Sequence, residues 1–165
     1  MDEPSTPRRR IVEWQDPLTG LEGARALSGI DYLRAMKSGD LPAPPVTQLV
    51  GFSLDVIESG RVVFDFVPGE VHYNPIGSVH GGILSVVLDS AMGCAVQSKL
   101  PIGALYTTLE FKVNFVRPVT AATGKLACEG RVIHTGTKTA TAEGYLRDAS
   151  GRLYAHSTTT CLLLG

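Results

Sequence analysis

The stretch NPIGSVHGGILSVVLDSAMGCAVQSK, residues 74–99, determines how the rest of the chain must be arranged. It begins with residues typical of turns. From residue 83 onward it is apolar, and Asp89 is its only charged residue before Lys99. A helix that is apolar nearly all round is usually buried. The stretch therefore predicts a loop followed by a buried helix over roughly residues 81–99, which other elements must enclose.

The same stretch contains two groups that suit acyl transfer. A buried, isolated acid such as Asp89 is paired, neutral or functional, and its neighbours on the predicted helix face offer no cation. The HGG sequence at 80–82 opens the helix, where backbone N–H groups have no intrahelical partner. In acyl transfer one group polarises a carbonyl and another attacks it or activates water. The helix start and Asp89 are candidates for these two tasks.

The segments before residue 74 predict an extended arm, one helix and two strands. Residues 1–20 are polar and contain prolines, which is typical of an arm. Apolar residues spaced by three and four over 21–38 predict one amphipathic helix, which Gly39 ends. Residues 41–45, with prolines at positions 42, 44 and 45, are predicted to form a stiff linker that is not helical. Strands are predicted over 50–57 and 61–67, on either side of a hairpin turn.

The residues after the buried helix predict an antiparallel sheet. Between 107 and 117 apolar and polar residues alternate, which indicates a strand. Further strands are predicted over 123–134, 138–147 and 153–163. Ala140, Ala142 and Gly144 share one strand face, and such small residues allow another element to approach closely. The whole order predicts an α+β fold, with a curled antiparallel sheet wrapped around one long buried helix and an extra N-terminal helix.

Composition restricts the class of function. A length of 165 residues suits one domain, and 44% hydrophobic residues support a packed core. The net charge of −1 gives no sign of a nucleic-acid partner, and the basic cluster Arg8–Arg10 is interpreted as solvated. No apolar run approaches the roughly 18 residues of a membrane span, and no secretory signal pattern is visible. Three distant cysteines and four scattered histidines indicate reduced thiols and no metal. We therefore expect a cytoplasmic protein with no metal or membrane partner.

Several of these motifs resemble those of a known family. Asn74-Pro75, the HGG sequence at 80–82, Asp89 and the sequence NFVRP at 114–118 are similar to those of hotdog-fold acyl-CoA thioesterases of the phenylacetate-pathway (PaaI-like) type. The resemblance covers roughly residues 45–165. It implies a hotdog thioesterase domain over 45–165, preceded by an arm, helix and Pro-rich linker over 1–44. It also implies hydrolysis of an acyl-CoA thioester with no metal and no bound cofactor.

The resemblance also implies roles for individual residues. Asp89 corresponds to the nucleophile or general base, and Gly81 to the residue whose backbone N–H polarises the thioester carbonyl. Asn74 corresponds to a residue that holds the attacking water or the substrate, although Asn before Pro is also a common turn former. A Ser or Thr near the acid is common in the family, and both Thr107 and Thr108 fit that position.

Further candidates are weighed against simpler interpretations. His80 is a catalytic candidate, but a ring that bonds the loop and fixes the start of the helix explains it more simply. The candidates for contacting the substrate are Gly82, Ser85, Met92, Arg117 and Lys138. Arg117 and Lys138 suit the phosphates of coenzyme A, with solvated surface charge as the alternative. For Ser85 the alternative is helix packing, and for Met92 it is core packing.

Helix geometry predicts the oligomeric state. Gly81 and Asp89 are eight residues apart, which is about 12 Å along one helix. A carbonyl polariser and an attacking group should each lie about 3 Å from the reacting atoms. Two helices running antiparallel across a twofold axis bring Gly81 of one subunit to Asp89 of the other. We therefore expect an obligate homodimer with two composite sites. The resemblance implies that dimers pair further into a dimer of dimers, and the sequence alone leaves dimer and tetramer open.

Two other functions fit the same fold. One is a hotdog-fold dehydratase or hydratase acting on 3-hydroxyacyl thioesters, in which His80 and Asp89 form the required His–acid pair. The other is a non-catalytic acyl-CoA-binding module. The Gly-Gly after His80 and the Asn-Pro before it favour the thioesterase over the dehydratase, and the presence of Asp89 favours it over the binding module.

Overall fold

The computed structural model describes residues 7–165, which form four α-helices and one six-stranded sheet. The helices are α1 (Pro17–Ala26), α2 (Gly29–Ser38), α3 (Pro45–Val50) and α4 (Gly81–Gln97). The strands are β1 (Phe52–Glu58), β2 (Arg61–Phe66), β3 (Leu105–Phe115), β4 (Leu126–Thr135), β5 (Thr139–Asp148) and β6 (Leu153–Leu164). Each strand begins and ends within three residues of its predicted bounds. No helix of the described chain is long and apolar enough to cross a membrane.

The sheet is antiparallel throughout and has the strand order β1-β2-β4-β5-β6-β3. It curls around α4, which packs against β2, β3, β4, β5 and β6. The predicted α+β fold with one long enclosed helix is therefore confirmed. The strand that follows α4 in the chain, β3, lies at an edge of the sheet beside β6, so one side of β3 has no neighbouring strand among residues 7–165.

Helix α4 is buried because its side chains are apolar nearly all round. Its fully buried residues divide between a main core cluster, which includes Val87, Leu88 and Ala91, and a second cluster around Met92 and Val96. Met92 and Val96 pack against the small β5 face formed by Ala140 and Ala142. The close approach predicted from that face is confirmed.

Two glycines bring the sheet still closer to α4. Gly130 of β4 and Gly144 of β5 are directly paired in the strand register. A Cβ atom at Gly130 would lie 2.2 Å from the Ala91 carbonyl oxygen, and one at Gly144 would lie 3.0 Å from Cγ of Met92. Real Cβ atoms do not approach a backbone oxygen that closely, so α4 fits against Gly130 only because that position lacks a side chain. Gly144 leaves room for the Met92 side chain.

The prediction of one N-terminal helix over 21–38 is wrong, because two helices meet there. Leu27 is extended, with φ −115° and ψ 160°, and the Ser28 side chain caps α2 by accepting a hydrogen bond from the Asp31 N–H at 3.3 Å. Gly29 follows, and its N–H donates to the Leu100 carbonyl at 3.0 Å, which ties the start of α2 to the residues after α4. The break is so short that the apolar spacing continues across it.

The linker prediction is also wrong at its last residue. Pro45 begins α3, whereas residues 41–44 are not helical. Proline is tolerated in the first turn of a helix because the N–H it lacks has no intrahelical partner there. The sequence pattern contains no signal for so short a helix.

We expect Gly130→Ala to destabilise the fold by about 3 kcal/mol, the upper end of the usual range for overpacking, since the added methyl meets backbone rather than a movable side chain. Urea unfolding followed by circular dichroism measures the change. Gly69→Ala is the matched control, because a Cβ there meets no atom within 4 Å and its φ of −141° suits alanine. Equal stabilities of the two variants would contradict the close contact between Gly130 and α4.

Candidate active site

Asp89 lies halfway along α4, partly buried, and is held by β3. The Thr108 hydroxyl donates a hydrogen bond to Oδ1 of Asp89 at 2.9 Å. Thr107 is exposed and makes no such contact. Of the two threonines proposed from the sequence, the structure therefore brings only Thr108 to the acid.

A β-bulge at Leu109 explains why Thr108 rather than Thr107 faces the helix. The pairing of β3 with β6 shifts register between Thr108 and Glu110. Beyond the bulge the odd-numbered residues face inward, and Val113 packs against the core. A one-residue slip moves the side chains that follow to the other face of the sheet. Before the bulge it is consequently the even-numbered residues that face α4.

Burial raises the pKa of the Asp89 carboxyl above its ordinary value, and the hydrogen bond from Thr108 lowers it in part. No Lys, Arg or His of residues 7–165 forms an ion pair with Asp89. A carboxylate with raised proton affinity is a better base near neutral pH than an ordinary one. The environment of Asp89 therefore suits proton transfer rather than charge pairing.

The start of α4 presents one backbone N–H without a partner. His80 is the N-cap, and its Nδ1 accepts a hydrogen bond from the Gly82 N–H at 2.9 Å. The His80 ring thus fixes the start of the helix, as the simpler interpretation predicts. It does so through the hydrogen bond from the Gly82 N–H. The Gly81 N–H has no acceptor among the described residues. A Cβ at Gly81 would lie 3.0 Å from the Phe115 ring, so the ring packs closely against the position that the missing side chain leaves.

Gly81 opens onto a cavity of about 340 Å³ at this end of the helix. Three of the residues proposed from the sequence line it: Asn74, Gly81 and Arg117. Nη1 of Arg117 donates to the Leu153 carbonyl at 2.5 Å, which holds the guanidinium beside the cavity. Asp89 does not line this cavity. One chain therefore separates the candidate carbonyl polariser from the candidate base.

The Asn74 amide organises its own loop. Its Oδ1 accepts from the N–H groups of Ile76 and Ser78 at 3.1 and 3.2 Å, and its Nδ2 donates to the Ser78 hydroxyl at 3.0 Å. The turn-forming interpretation of Asn74 is confirmed. Its position on the cavity wall leaves the proposed contact with water or substrate as a prediction.

The remaining candidates lie apart from the cavity at Gly81. The Ser85 hydroxyl donates to the Gly81 carbonyl at 2.8 Å and so stabilises the first turn of α4. Met92 is fully buried, and its sulfur accepts from the Ser157 hydroxyl at 3.3 Å, so the described chain gives it a core position instead of a substrate contact. Lys138 is exposed at the turn between β4 and β5. The structure does not bring Met92 or Lys138 to Gly81.

Sequence reasoning missed Tyr106, which lies two residues before Thr108 on β3. A Cβ at Gly93 would be 2.1 Å from the Tyr106 hydroxyl oxygen, so the phenol occupies the space that this glycine leaves, one turn beyond Asp89. Burial raises the pKa of Tyr106 well above its ordinary value, and the nearby Cys94 and Asp89 raise it further. The spacing of two from Thr108 was the available signal, but it required knowing which threonine faces inward.

Comparison with known proteins identifies the family of this chain. The family model described as Thioesterase superfamily matches residues 76–155. A phenylacetic acid degradation-related protein of Ralstonia eutropha JMP134 is 31% identical, the match covering 79% of this chain and 98% of that one, with a TM-score of 0.73. The chain belongs to the thioesterase superfamily. The predicted resemblance to PaaI-like hotdog thioesterases is thereby confirmed, and so is the enzyme class, thioester hydrolase, at the level of the family.

Two further proteins match this thioesterase superfamily member, one over a shorter stretch and the other at lower sequence identity. A candidate esterase of Halobacterium salinarum is 37% identical over 78 residues, which is 46% of this chain and 46% of that protein, so the match spans about half of that relative. The smu.793 protein of Streptococcus mutans UA159, in its structure bound to acetyl-CoA, is 23% identical with a TM-score of 0.63; the match covers 69% of this chain and 89% of that one. At that identity the likeness shows the fold alone.

We expect Asp89→Asn to stabilise the folded protein at neutral pH, since it removes a charge that burial disfavours. The pKa of Asp89 in the folded state lies above the ordinary 3.8, so protonation of Asp89 favours folding. This contribution to stability is fully present below pH 3.8 and is lost as the pH rises through the folded-state pKa. The gain from Asn should therefore vanish toward pH 3.8. Urea midpoints measured across this range test it, with the exposed Asp55→Asn as control. A gain that is largest at acid pH would contradict the raised pKa.

Proposed function

We propose that this protein hydrolyses acyl-CoA thioesters to a free acid and coenzyme A, through its own side chains and backbone. The observation that carries the proposal is the state of Asp89. It is a half-buried carboxylate, held by Thr108, with no cation partner among residues 7–165, at the centre of the helix around which a thioesterase fold is built. Such a group is expected where a proton is transferred or an acyl carbon is attacked.

Attack on a thioester carbonyl places negative charge on its oxygen. The Gly81 N–H is suited to donate a hydrogen bond to that oxygen, because it has no acceptor in the described chain and lies at the positive end of the α4 dipole. One preorganised donor of this kind is typically worth about 3–4 kcal/mol of barrier. Asp89 then either removes a proton from the attacking water or attacks the carbonyl itself, in which case water hydrolyses a transient mixed anhydride.

The two groups need a second subunit to meet. Gly81 and Asp89 lie on one unbroken helix, eight residues and about 12 Å apart along its axis. An antiparallel α4 from a partner brings the partner's Gly81 to Asp89 of the first subunit. It equally brings Gly81 of the first subunit to the partner's Asp89, so a homodimer contains two composite sites.

The free edge of the sheet supports that dimer. On β3, Leu109, Phe111 and Phe115 are 56%, 37% and 49% exposed. An unpaired edge strand with exposed apolar side chains is a surface that proteins usually cover. We propose that β3 lies at the subunit interface, where it carries both Thr108 and the Phe115 ring that contacts Gly81. Pairing of dimers into tetramers remains a prediction from the resemblance.

Coenzyme A is the proposed acyl carrier. The smu.793 protein, which has the same fold, holds acetyl-CoA. In this chain Arg117 lines the cavity at Gly81, and its remaining N–H groups can donate to phosphate oxygens. The phosphate-bearing end of the substrate is therefore placed beside Arg117, outside the start of α4.

The first test is release of free coenzyme A from a panel of alkyl and aryl acyl-CoA thioesters, measured with a thiol reagent. Wild type should turn over, and Asp89→Asn should lose roughly a hundredfold or more of kcat, as removal of one acid–base group typically does. Asp55→Asn, at an exposed carboxylate on β1, should match wild type. Binding without turnover by the folded wild type would favour an acyl-CoA-binding module, and dehydration of 3-hydroxyacyl-CoA without thiol release would favour a dehydratase.

The second test isolates the Gly81 N–H. Gly81→Pro removes this N–H at the first helical position, where proline is favoured, and His80 before it already has the extended conformation that proline requires (φ −60°, ψ 133°). We expect kcat to fall roughly a hundredfold or more. Gly81→Ala is the matched control, because it adds a Cβ at the same place beside Phe115 but keeps the N–H. Equal losses in both variants would assign the effect to the added carbon.

Mixing the two inactive variants tests whether the sites are composite. Gly81→Pro and Asp89→Asn chains, unfolded together and refolded, should recover roughly a quarter of wild-type activity, since about half of randomly paired dimers are mixed and each has one intact site. No recovery in a mixture shown to contain mixed dimers would place both groups in the same subunit's site.

A further inference from the structure

Two cavities lie between α4 and the N-terminal segment, and the chemistry proposed above uses neither. One, the α3-side cavity, has a volume of about 350 Å³ and lies among α2, α3, β1 and α4. The other, the α1-side cavity, has a volume of about 370 Å³ and lies among α1, α2, the proline-rich linker and α4. The two share five lining residues: Met36, Ala43, Pro44, Cys94 and Tyr106. They are therefore neighbours across a common wall.

Both cavities are mainly apolar and large enough for part of a ligand. The α3-side cavity is lined by Phe52, Leu54 and Phe64, and the α1-side cavity by Ala24 and Leu33. Protein interiors are otherwise packed to the density of organic crystals. An apolar cavity of about 150 Å³ already accommodates a benzene ring. Each of the two is more than twice that size.

The cavities adjoin Asp89 through the residues next to it. Ser90 lines the α3-side cavity, and Tyr106, which lines both, places its hydroxyl at Gly93, one turn beyond Asp89. The charge of Asp89 contributes to the raised pKa of Cys94, about 12, behind the larger effect of burial. Cys94, five residues after Asp89 on α4, and Tyr106, whose hydroxyl lies at Gly93, both line the two cavities.

We infer that these cavities bind the acyl group of the substrate, with the thioester at Asp89 and the chain running past Tyr106 into the α3-side and then the α1-side cavity. This inference rests on the proposed acyl-CoA hydrolysis. It assigns the substrate class: elongated, mainly apolar acyl groups rather than acetyl. Met36 lies in the wall between the cavities, and its flexible side chain must turn aside for a chain that extends from the first into the second.

The test is the dependence of kcat/KM on acyl length, from acetyl-CoA to dodecanoyl-CoA, with phenylacetyl-CoA included. In wild type each added methylene that enters the cavities should raise kcat/KM about fourfold, the value of burying one CH₂. Met36→Trp fills the shared wall and should lower the ratio of kcat/KM for decanoyl-CoA over acetyl-CoA by roughly tenfold or more. Met36→Ala should extend the rise to longer chains.

A matched control introduces the same side chain elsewhere. Leu49 is an exposed residue of α3 that lines neither cavity, so Leu49→Trp should keep the wild-type profile. If Met36→Trp does not fold, Ala43→Phe is the substitute variant. Its added ring fills the boundary between the cavities from the linker side and should lower the decanoyl-to-acetyl ratio of kcat/KM to the same extent.

The outcomes separate this inference from the proposed function. If wild type hydrolyses acyl-CoAs in an Asp89-dependent way but folded Met36→Trp and Ala43→Phe keep the wild-type length profile, the cavities are not the acyl site and the inference is overturned. If no member of the panel is hydrolysed, the proposed function itself fails. A flat wild-type profile with acetyl-CoA as good as decanoyl-CoA also overturns the assigned substrate class.

Discussion

The close approach of α4 to the sheet is the constraint on which the rest of the structure depends. Gly130 and Gly144 are paired across β4 and β5, and the Ala91 carbonyl lies where a Cβ of Gly130 would be. The contact is backbone against backbone, so no side-chain rearrangement can replace it. It fixes the depth of the helix in the sheet and, with the depth, the faces that α4 turns toward β3 and toward the N-terminal helices.

Asp89 owes its properties to that placement. A carboxylate on an otherwise apolar, enclosed helix loses hydration, and Thr108 compensates with only one hydrogen bond. The fold thus encloses a carboxyl group whose charged form opposes the stability of the fold. Such a cost is typical of functional sites, where activity depends on a group that packing alone disfavours.

Much of this arrangement was readable from local pattern. Helix α4, the positions of the six strands along the chain and the small face on β5 follow from periodicity and residue size over short windows. The order of the strands within the sheet does not. The break between α1 and α2 was not readable, because two extended residues, Leu27 and Ser28, leave the apolar spacing intact. The choice of Thr108 over Thr107 depends on the bulge at Leu109, which is a property of the pairing with β6. The two N-terminal cavities are assembled from residues that lie far apart in the chain, and no window contains them.

The placement of the N-terminal helices has an evolutionary consequence. They pack over a face of α4 next to the one that carries Asp89, and Gly29 ties them to the fold through its bond to Leu100. Substitutions in α1, α2 and the linker reshape the cavities while the residues at 74–89 stay as they are. If these cavities hold the acyl group as proposed, lineages that diverge in this extension can exchange one preferred acid for another while the residues around Asp89 stay the same. In that case substitutions in the N-terminal extension change the substrate without changing the proposed chemistry.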